Sequence, residues 1–228
     1  MSQIPLSPLI DRFGRVHTSI RLSVTDRCNI RCYYCMPEVG AEFVSKDRIL
    51  TFEEMLRLAN LFVTRGGVRD IRITGGEPLV RRELPHLIEM LAAIEGLEDL
   101  SLTTNGVLLA DQAADLRRAG LQRLNISLDT LDEQVFRKIT RRDGLAKTLA
   151  GIDAAIACGF HSIKLNTLAI RGITEPEVAN LVRFAVNRGV MLRFIEFMPL
   201  DGDRAWREEQ VLSGDRLLEL LQDAFGDV

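Results

Sequence analysis

The chain has 228 residues, 46% of them hydrophobic and 27% charged, with a formal net charge of −3 at pH 7. This composition suits a globular protein, and the small negative charge offers no basis for binding nucleic acid or an anionic membrane surface. The sequence contains no apolar run of about eighteen residues, the length of a transmembrane helix. Its N-terminus also lacks the basic-then-apolar pattern of a signal peptide. We therefore expect a cytoplasmic protein without a membrane partner.

Short β-type runs alternate with helical runs along the whole chain, and no low-complexity linker separates them. We predict strands at residues 19–24, 70–74, 99–104, 123–128, 162–167 and 191–196. We predict helices at residues 51–66, 83–96, 109–120, 130–140, 144–159 and 175–189. Thr51 and Glu54 have the spacing of a capping box. Glycines are expected where helices end, at Gly66, Gly96, Gly120, Gly159 and Gly189.

The repeated strand–helix order predicts parallel strands joined by right-handed crossovers. Apolar and polar residues alternate in most of the strands, so one face of the sheet is apolar and the other is polar. Central strands of a doubly wound sheet would be apolar on both faces, and a closed barrel would be filled with aliphatic side chains. The pattern predicts a single α/β domain over residues 1–228. Its fold is expected to be a partial (β/α)6 TIM-like barrel with a polar, ligand-binding interior.

Cations recur at the polar positions of the predicted strands, namely Arg21, Arg72, Lys164 and Arg193. Like charges on one concave face repel one another unless an anion neutralises them. Buried charge without a partner is unfavourable. The pattern favours a polyphosphate or carboxylate-rich ligand. The alternative is that each cation pairs with a nearby Asp or Glu, or emerges at a strand end.

Three of the four cysteines lie in the stretch CNIRCYYC, as Cys28, Cys32 and Cys35. They follow the first predicted strand, at the sheet edge where α/β proteins place their sites. Three thiols in one window cannot all pair as disulfides, and no histidine or fourth cysteine adjoins them to close a zinc site. A chance cluster of free thiols is a second alternative, although it is unusual in so short a window. The third is an iron–sulfur cluster, in which three cysteine ligands leave one iron open to a ligand carrying an amine and a carboxylate. Cys158 is expected to be a buried core residue.

The CxxxCxxC spacing, together with RITGGEPLVRR after the second predicted strand, resembles the radical S-adenosylmethionine (SAM) superfamily. The resemblance implies a [4Fe-4S] cluster on the three cysteines and SAM at its open iron. Gly75, Gly76 and Glu77 are expected to hold the methionine end of SAM, because a glycine turn exposes backbone polar groups. The alternatives are a radical SAM peptide or protein maturase and a non-enzymatic metal-binding protein.

The longer text RLSVTDRCNIRCYYCMP, LTTNG, LNISLDTL, IKLNT and LRFIEFMPL is similar to the GTP 3′,8-cyclases of molybdenum cofactor biosynthesis. That family uses a 5′-deoxyadenosyl radical from reductively cleaved SAM to abstract a hydrogen from the ribose of GTP, the first step toward molybdopterin. The resemblance implies that SAM contacts Tyr34, Gly76, Ser127 and Met198. It implies that GTP contacts Arg21, Arg72, Thr103, Lys164 and Arg193.

The resemblance also implies partners and a further segment. The cluster needs a reducing electron donor, and apolar surface at an open barrel mouth would favour a homodimer. Members of the cyclase family continue into a segment with a second three-cysteine set, whose cluster binds the guanine base. The sequence ends at LLELLQDAFGDV without that segment. From this we expect cluster and SAM binding with impaired cyclisation, and residues 201–210 to form either a lid or a mobile loop.

Overall fold

The computed structural model describes residues 7–199 and 206–226. A short antiparallel pair, β1 (Leu9–Ile10) and β2 (Val16–His17), precedes the main sheet. The main sheet has six parallel strands in chain order. They are β3 (Ser19–Ser23), β4 (Asp70–Thr74), β5 (Asp99–Thr104), β6 (Arg123–Ser127), β7 (Ser162–Ala169) and β8 (Met191–Glu196). The six predicted strands and the partial (β/α)6 barrel are confirmed.

Helices connect the strands on the outside of the sheet. They are α1 (Phe52–Gly66), α2 (Leu84–Ala92), α3 (Ala113–Arg118), α4 (Glu133–Thr140), α5 (Leu145–Ala157), α6 (Val178–Arg188) and α7 (Gly214–Phe225). Short 3-10 turns occur at Lys46–Arg48, Pro78–Val80, Glu175–Glu177 and Glu208–Gln210. Within the described residues, none of these helices is long and apolar enough to cross a membrane.

The apolar face of the sheet packs under the helices. Ile71, Ile73 and Leu102 are fully buried there. On α1 the buried positions are Met55, Ala59, Val63 and Gly66, which recur every three or four residues and form one apolar stripe facing the core. The alternation of the strands therefore sends every second side chain into this core and leaves the others on the concave face.

Several predicted boundaries are wrong by a few residues. The helix predicted at 130–140 begins at Glu133, because the Asp132 side chain accepts hydrogen bonds from the N–H groups of Gln134 and Val135. Gly66 lies inside α1, and Gly67 is the left-handed residue that ends it (φ 72°). The predicted helices at 83–96 and 109–120 shorten to α2 and α3, since turns occupy their ends. Cys158 is half-buried against the core rather than fully buried.

The β1–β2 pair and α7 were not predicted. A signal for α7 exists in the sequence, because Ser213 caps it by accepting a hydrogen bond from the N–H of Arg216. Of the segment 201–210, expected to be either a lid or a mobile loop, residues 201–205 lie outside the described residues. The part that is described is tied down at Trp206, whose indole N–H donates to the Phe197 carbonyl at 3.0 Å.

The predicted capping box of α1 is present. Thr51 Oγ1 accepts from the Glu54 N–H, and Glu54 Oε2 accepts from the Thr51 N–H at 2.8 Å. Replacing Thr51 with Ala is expected to lower the free energy of unfolding by about 1 kcal/mol. Thr64→Ala, in the exposed last turn of the same helix, should change it by less than about 0.5 kcal/mol. Urea denaturation of the two variants measures the difference, and equal effects would contradict the capping role.

Candidate active site at the carboxyl edge of the sheet

The loop between β3 and α1 carries the three clustered cysteines, which are free thiols. Two backbone hydrogen bonds hold this loop against the end of α4, from Arg31 N to the Thr140 carbonyl and from Tyr33 N to the Ile139 carbonyl. A tight turn follows, in which Cys35 N donates to the Cys32 carbonyl at 3.0 Å. The three thiols consequently line one cavity at the carboxyl edge of the sheet.

The surroundings of this loop raise the pKa of all three thiols. Burial raises the pKa of Cys28, Cys32 and Cys35, and it raises the pKa of Cys32 to about 12. After burial, the nearby Asp129 carboxylate raises the pKa of Cys32 most, and Cys28 and Cys35 raise it further. Across residues 7–199 and 206–226, no three Cys, His, Asp or Glu side chains are grouped to hold a metal ion. An iron–sulfur cluster does not need three side chains around one metal ion, because each cysteine binds a separate iron of the cluster.

The predicted glycine turn follows β4 and packs backbone to backbone against the start of the cysteine loop. Gly76 N donates to the Thr25 carbonyl at 2.7 Å, and Glu77 N donates to the Arg27 carbonyl at 2.8 Å. A Cβ on Gly75 would lie 2.5 Å from the Thr25 carbonyl oxygen, and one on Gly76 would lie 2.4 Å from that of Arg27. Both positions therefore require glycine for close approach.

The Glu77 side chain is buried and anchors this turn. Its Oε1 accepts from Thr104 Oγ1 at 2.7 Å and from Leu79 N at 3.1 Å, while Oε2 accepts from Asn105 N at 2.7 Å. Burial is the main cause of its raised pKa. The carboxylate thus joins the glycine turn to the end of β5. Direct binding of an ammonium group by Glu77 stays a prediction.

Two polar residues that were not predicted also belong to this site. Asp129, just after β6, accepts a hydrogen bond from the Tyr34 hydroxyl at 2.6 Å and another from Leu168 N at 2.8 Å. Burial raises the pKa of Asp129. Asn105, just after β5, contacts Cys28 Sγ through its amide nitrogen at 3.9 Å. The positions of Asp129 and Asn105 in the sequence could have indicated both residues. Each follows an apolar strand, at the sheet edge that carries the cysteines.

The predicted SAM contacts surround two adjoining cavities. The cavity beside the cysteines is also lined by Tyr34, Gly75, Gly76, Glu77, Thr103 and Ser127. Met198 is half-exposed and lines the second cavity together with Tyr34, Cys35, Thr103 and Ser127. The structure therefore brings residues from five parts of the chain to one place, although their individual roles stay predictions.

The four predicted cations lie on the concave face of the sheet, below these cavities. Within the described part of the chain, none of Arg21, Arg72, Lys164 and Arg193 forms an ion pair. The part of the alternative in which each cation pairs with a nearby carboxylate is therefore wrong, and emergence of a cation at a strand end stays a prediction. Arg72 Nε is buried and has no hydrogen-bond partner among the residues that the structure describes. Burial first, and then the nearby Arg21, Arg123 and Arg193, lower the pKa of Arg72.

A further arginine on the same face was missed. Arg123 occupies a polar position of its strand, as the four predicted cations do. It forms an ion pair with Asp99, in which Nε donates to Oδ1 at 2.6 Å and Nη2 contacts Oδ2. The concave face thus carries cations on β3, β4, β6, β7 and β8.

Comparison with known proteins identifies the superfamily to which this chain belongs. Residues 22–185 match the family model of the radical SAM superfamily, and the chain belongs to that superfamily. The GTP 3′,8-cyclase of Rhodopirellula baltica is 67% identical over 220 residues, an alignment that covers 96% of this chain and 61% of that protein. Molybdenum cofactor biosynthesis protein 1 of Drosophila melanogaster is 46% identical over 221 residues, covering 97% of this chain and 39% of that protein.

The chain thus spans about three-fifths of the bacterial relative and two-fifths of the fly protein. Among solved structures, anSMEcpe with bound AdoMet has a TM-score of 0.70 at 18% identity, covering 91% of this chain and 59% of that chain. At that identity the similarity shows the fold alone. It agrees with the partial barrel described above.

Radical SAM enzymes use a [4Fe-4S] cluster and SAM, and the residues present fit both groups. Three free thiols line one cavity, and thiolates are the ligands of such clusters. Beside them, the glycine turn has no Cβ and lies against the cysteine loop. It lines the same cavity, next to Ser127 and the Tyr34–Asp129 pair.

Proposed function

We propose that this chain forms the catalytic barrel of a GTP 3′,8-cyclase. The observation that carries the proposal is a set of four cations that form no ion pair with any described residue, on the concave face whose carboxyl edge carries the cysteine cavity. A radical SAM maturase acting on a peptide would not need that charge. Sequence identity of 67% to a curated GTP 3′,8-cyclase supports the same assignment.

The cavity at the carboxyl edge would hold the cofactors. Cys28, Cys32 and Cys35 would ligate the cluster, and the Gly75–Gly76 turn would offer backbone groups to the methionine end of SAM. Tyr34, Ser127 and Met198 would contact the rest of SAM. When bound, the cluster and SAM supply a radical that abstracts a hydrogen atom. The protein's own task is to hold the ribose of GTP beside SAM and to exclude water.

The concave face would hold the nucleotide. Arg72 and Gly76 lie four residues apart along one strand and its turn, which is roughly 13 Å in an extended chain. A nucleotide with its ribose at the carboxyl edge would therefore direct its phosphates toward Arg21, Arg72, Lys164 and Arg193. Thr103 lies between, one strand from Thr74, and could donate its hydroxyl to the nucleotide. Guanidinium groups suit this task because they bind phosphate oxygens in pairs.

Partners other than GTP follow from the same proposal. An electron donor must reduce the cluster, and any such donor has to approach the exposed side of the cysteine loop, where Cys35 is exposed. A homodimer stays a prediction. So do the single domain over residues 1–228 and the cytoplasmic location.

The test is nucleotide binding by the complete gene product after anaerobic cluster reconstitution. GTP is expected to raise the melting temperature, and the double variant Arg21→Ala/Arg72→Ala should weaken GTP binding by at least about tenfold, because hydrogen bonds to charged groups are each worth about 1.5–3 kcal/mol. SAM binding should persist in that variant. Arg57→Ala, an arginine exposed on the outer helix α1, is the control and should bind GTP normally.

Two results would contradict the proposal. If GTP binds the double variant as tightly as the wild type, the concave cations do not hold the nucleotide. If the wild type cleaves SAM but shows no response to GTP, a maturase acting on a peptide or protein is favoured instead.

A further inference from the structure

The amide side chain of Asn105 lies beside the sulfur of Cys28. Asn105 follows β5 and lines the cysteine cavity. Its Nδ2 atom lies 3.9 Å from Cys28 Sγ and 2.7 Å from Asn29 Oδ1. A side-chain amide nitrogen carries two hydrogens, so one serves Asn29 and the other is available to the sulfur. Asn105 therefore presents an N–H group to a cysteine of the proposed ligand set.

The orientation of this amide is determined by its own hydrogen bonds. Asn105 Oδ1 accepts from the N–H of Val107 at 3.0 Å. An NH2 group cannot accept a hydrogen bond, so the amide cannot be rotated by half a turn without losing this contact. Asn29 Oδ1 gives the same answer from the other side, because it needs a donor. The nitrogen of Asn105, and not its oxygen, therefore faces Cys28.

The backbone of Asn105 is held in place as well. Its N–H donates to Glu77 Oε2 at 2.7 Å, and its carbonyl accepts from Thr148 Oγ1 at 3.0 Å. Glu77 and Thr148 are both buried. Every polar atom of Asn105 thus has a partner, and these contacts keep the side chain beside the sulfur. Such outer partners are known to orient and tune the ligands of metal sites.

Other groups near Cys28 act on it in different ways. Burial raises the pKa of Cys28, and a hydrogen bond from the backbone N–H of Ile30 lowers it. Arg31 Nη1 donates to the Cys28 carbonyl at 2.6 Å, not to the sulfur. Asn105 is therefore a donor that a substitution can remove without changing the sequence of the cysteine loop.

A donor at this position favours negative charge on the sulfur. Cysteine ligates metal as the thiolate, and a charged acceptor makes a hydrogen bond stronger. When one electron enters the cluster, its thiolates gain negative charge and the hydrogen bond strengthens further. The reduced form is then stabilised more than the oxidised form. Hydrogen bonds to the sulfurs raise the reduction potential of iron–sulfur clusters in this way.

The geometry points to Asn105 as a positioning residue that raises the reduction potential of the cluster, through a hydrogen bond from Nδ2 to Cys28 Sγ. This inference rests on the proposed ligation by Cys28, Cys32 and Cys35 and adds a residue outside the loop. Its consequence is easier entry of the electron on which SAM cleavage depends. Removing the donor should make the cluster harder to reduce while leaving it bound.

A dithionite redox titration of the anaerobically reconstituted protein, followed by electron paramagnetic resonance, tests this role. The signal that shifts when SAM is added identifies the cluster with the open iron. Asn105→Leu has a similar size and removes both N–H donors. We expect its midpoint potential to be more negative than that of the wild type. At a fixed potential, the ratio of reduced to oxidised cluster should fall about threefold to tenfold, the range of a single hydrogen bond. Its iron content should be unchanged.

Thr148→Val is the matched control. It removes the hydroxyl that holds the Asn105 carbonyl and keeps a similar shape, so it loosens the same loop and leaves the amide donor in place. Its ratio of reduced to oxidised cluster should change by less than about twofold. If Asn105→Leu does not fold, Asn105→Ala also lacks the donor and decides by the same ratio.

A second readout distinguishes a hydrogen bond from a structural effect. Electron–nuclear double resonance of the reduced wild type should detect a proton coupled to the cluster that exchanges in D2O and is missing in Asn105→Leu. Thr148→Val should retain it. The N–H of Ile30 is present in all three proteins and serves as an internal reference.

The outcomes separate this inference from the proposed function. A fully loaded Asn105→Leu protein with the wild-type potential would overturn the inference and leave the ligation by the three cysteines in place. Equal shifts in Asn105→Leu and Thr148→Val would assign the effect to the structure of the loop and would also overturn it. Wild-type protein that holds no iron would contradict the ligation and the inference together.

Discussion

Serine in place of Cys28, Cys32 or Cys35 is expected to remove iron binding and all cleavage of SAM. The three thiols line one cavity, so each would supply a ligand that the other residues of the loop do not replace. The cofactors carry the chemistry, and a protein without the cluster should therefore show only background turnover. Iron analysis after anaerobic reconstitution should show a loss of about four irons per chain relative to the wild type.

Cys158 provides the matched control for these variants. It is a free thiol, half-buried at the end of α5 and packed against the core. Cys158→Ser should retain iron and SAM cleavage and should affect only stability. If instead a variant of the CNIRCYYC loop keeps its full iron content, the assigned ligand set is wrong.

Gly76→Ala is expected to have the second large effect. The added Cβ would lie 2.4 Å from the Arg27 carbonyl oxygen, 2.7 Å from its carbon and 2.8 Å from the Asp26 carbonyl oxygen. These are backbone atoms in contact with the turn, so the turn and the cysteine loop must separate. We expect a loss of about 1–3 kcal/mol in the free energy of unfolding, as for other overpacked sites. We also expect SAM affinity to fall by more than about tenfold, since a displacement of this kind misplaces both halves of the cofactor cavity.

The control for this substitution is Gly214→Ala at the start of α7, where a Cβ would meet Glu196 Oε1 at an ordinary 3.8 Å. Calorimetry with SAM measures both variants. Unchanged SAM affinity in Gly76→Ala would show that the close approach of turn and loop does not shape the SAM site. A loss of stability without a loss of affinity would lead to the same conclusion.

The fold could be predicted from the sequence because its main signal is local. Alternation along a strand such as Asp70–Thr74 determines which side chains face the helices, and it is enough to place Arg72 on the concave face. The capping box at Thr51 is equally local. The two-residue strands β1 and β2 are too short to give any period, and they were missed for that reason.

The contacts within the site could not be predicted, because they join segments far apart in the chain. Glu77 could be predicted from the sequence. The hydrogen bonds that its carboxylate accepts from Thr104 and Asn105 could not. The sequence identified Tyr34 but not Asp129, its hydrogen-bond partner 95 residues later. Arg123 is a different case, since its parity was visible and only its pairing with Asp99 required the structure. Which strand ends meet is decided by register, and register is a property of the whole sheet.

Anaerobic reconstitution of the purified protein, followed by reduction in the presence of SAM, tests the central claim most directly. We predict about four irons per chain held by the loop of Cys28, Cys32 and Cys35, with release of methionine and 5′-deoxyadenosine on reduction. Protein that takes up zinc with four closed ligands, holds no iron and leaves SAM intact would contradict the account.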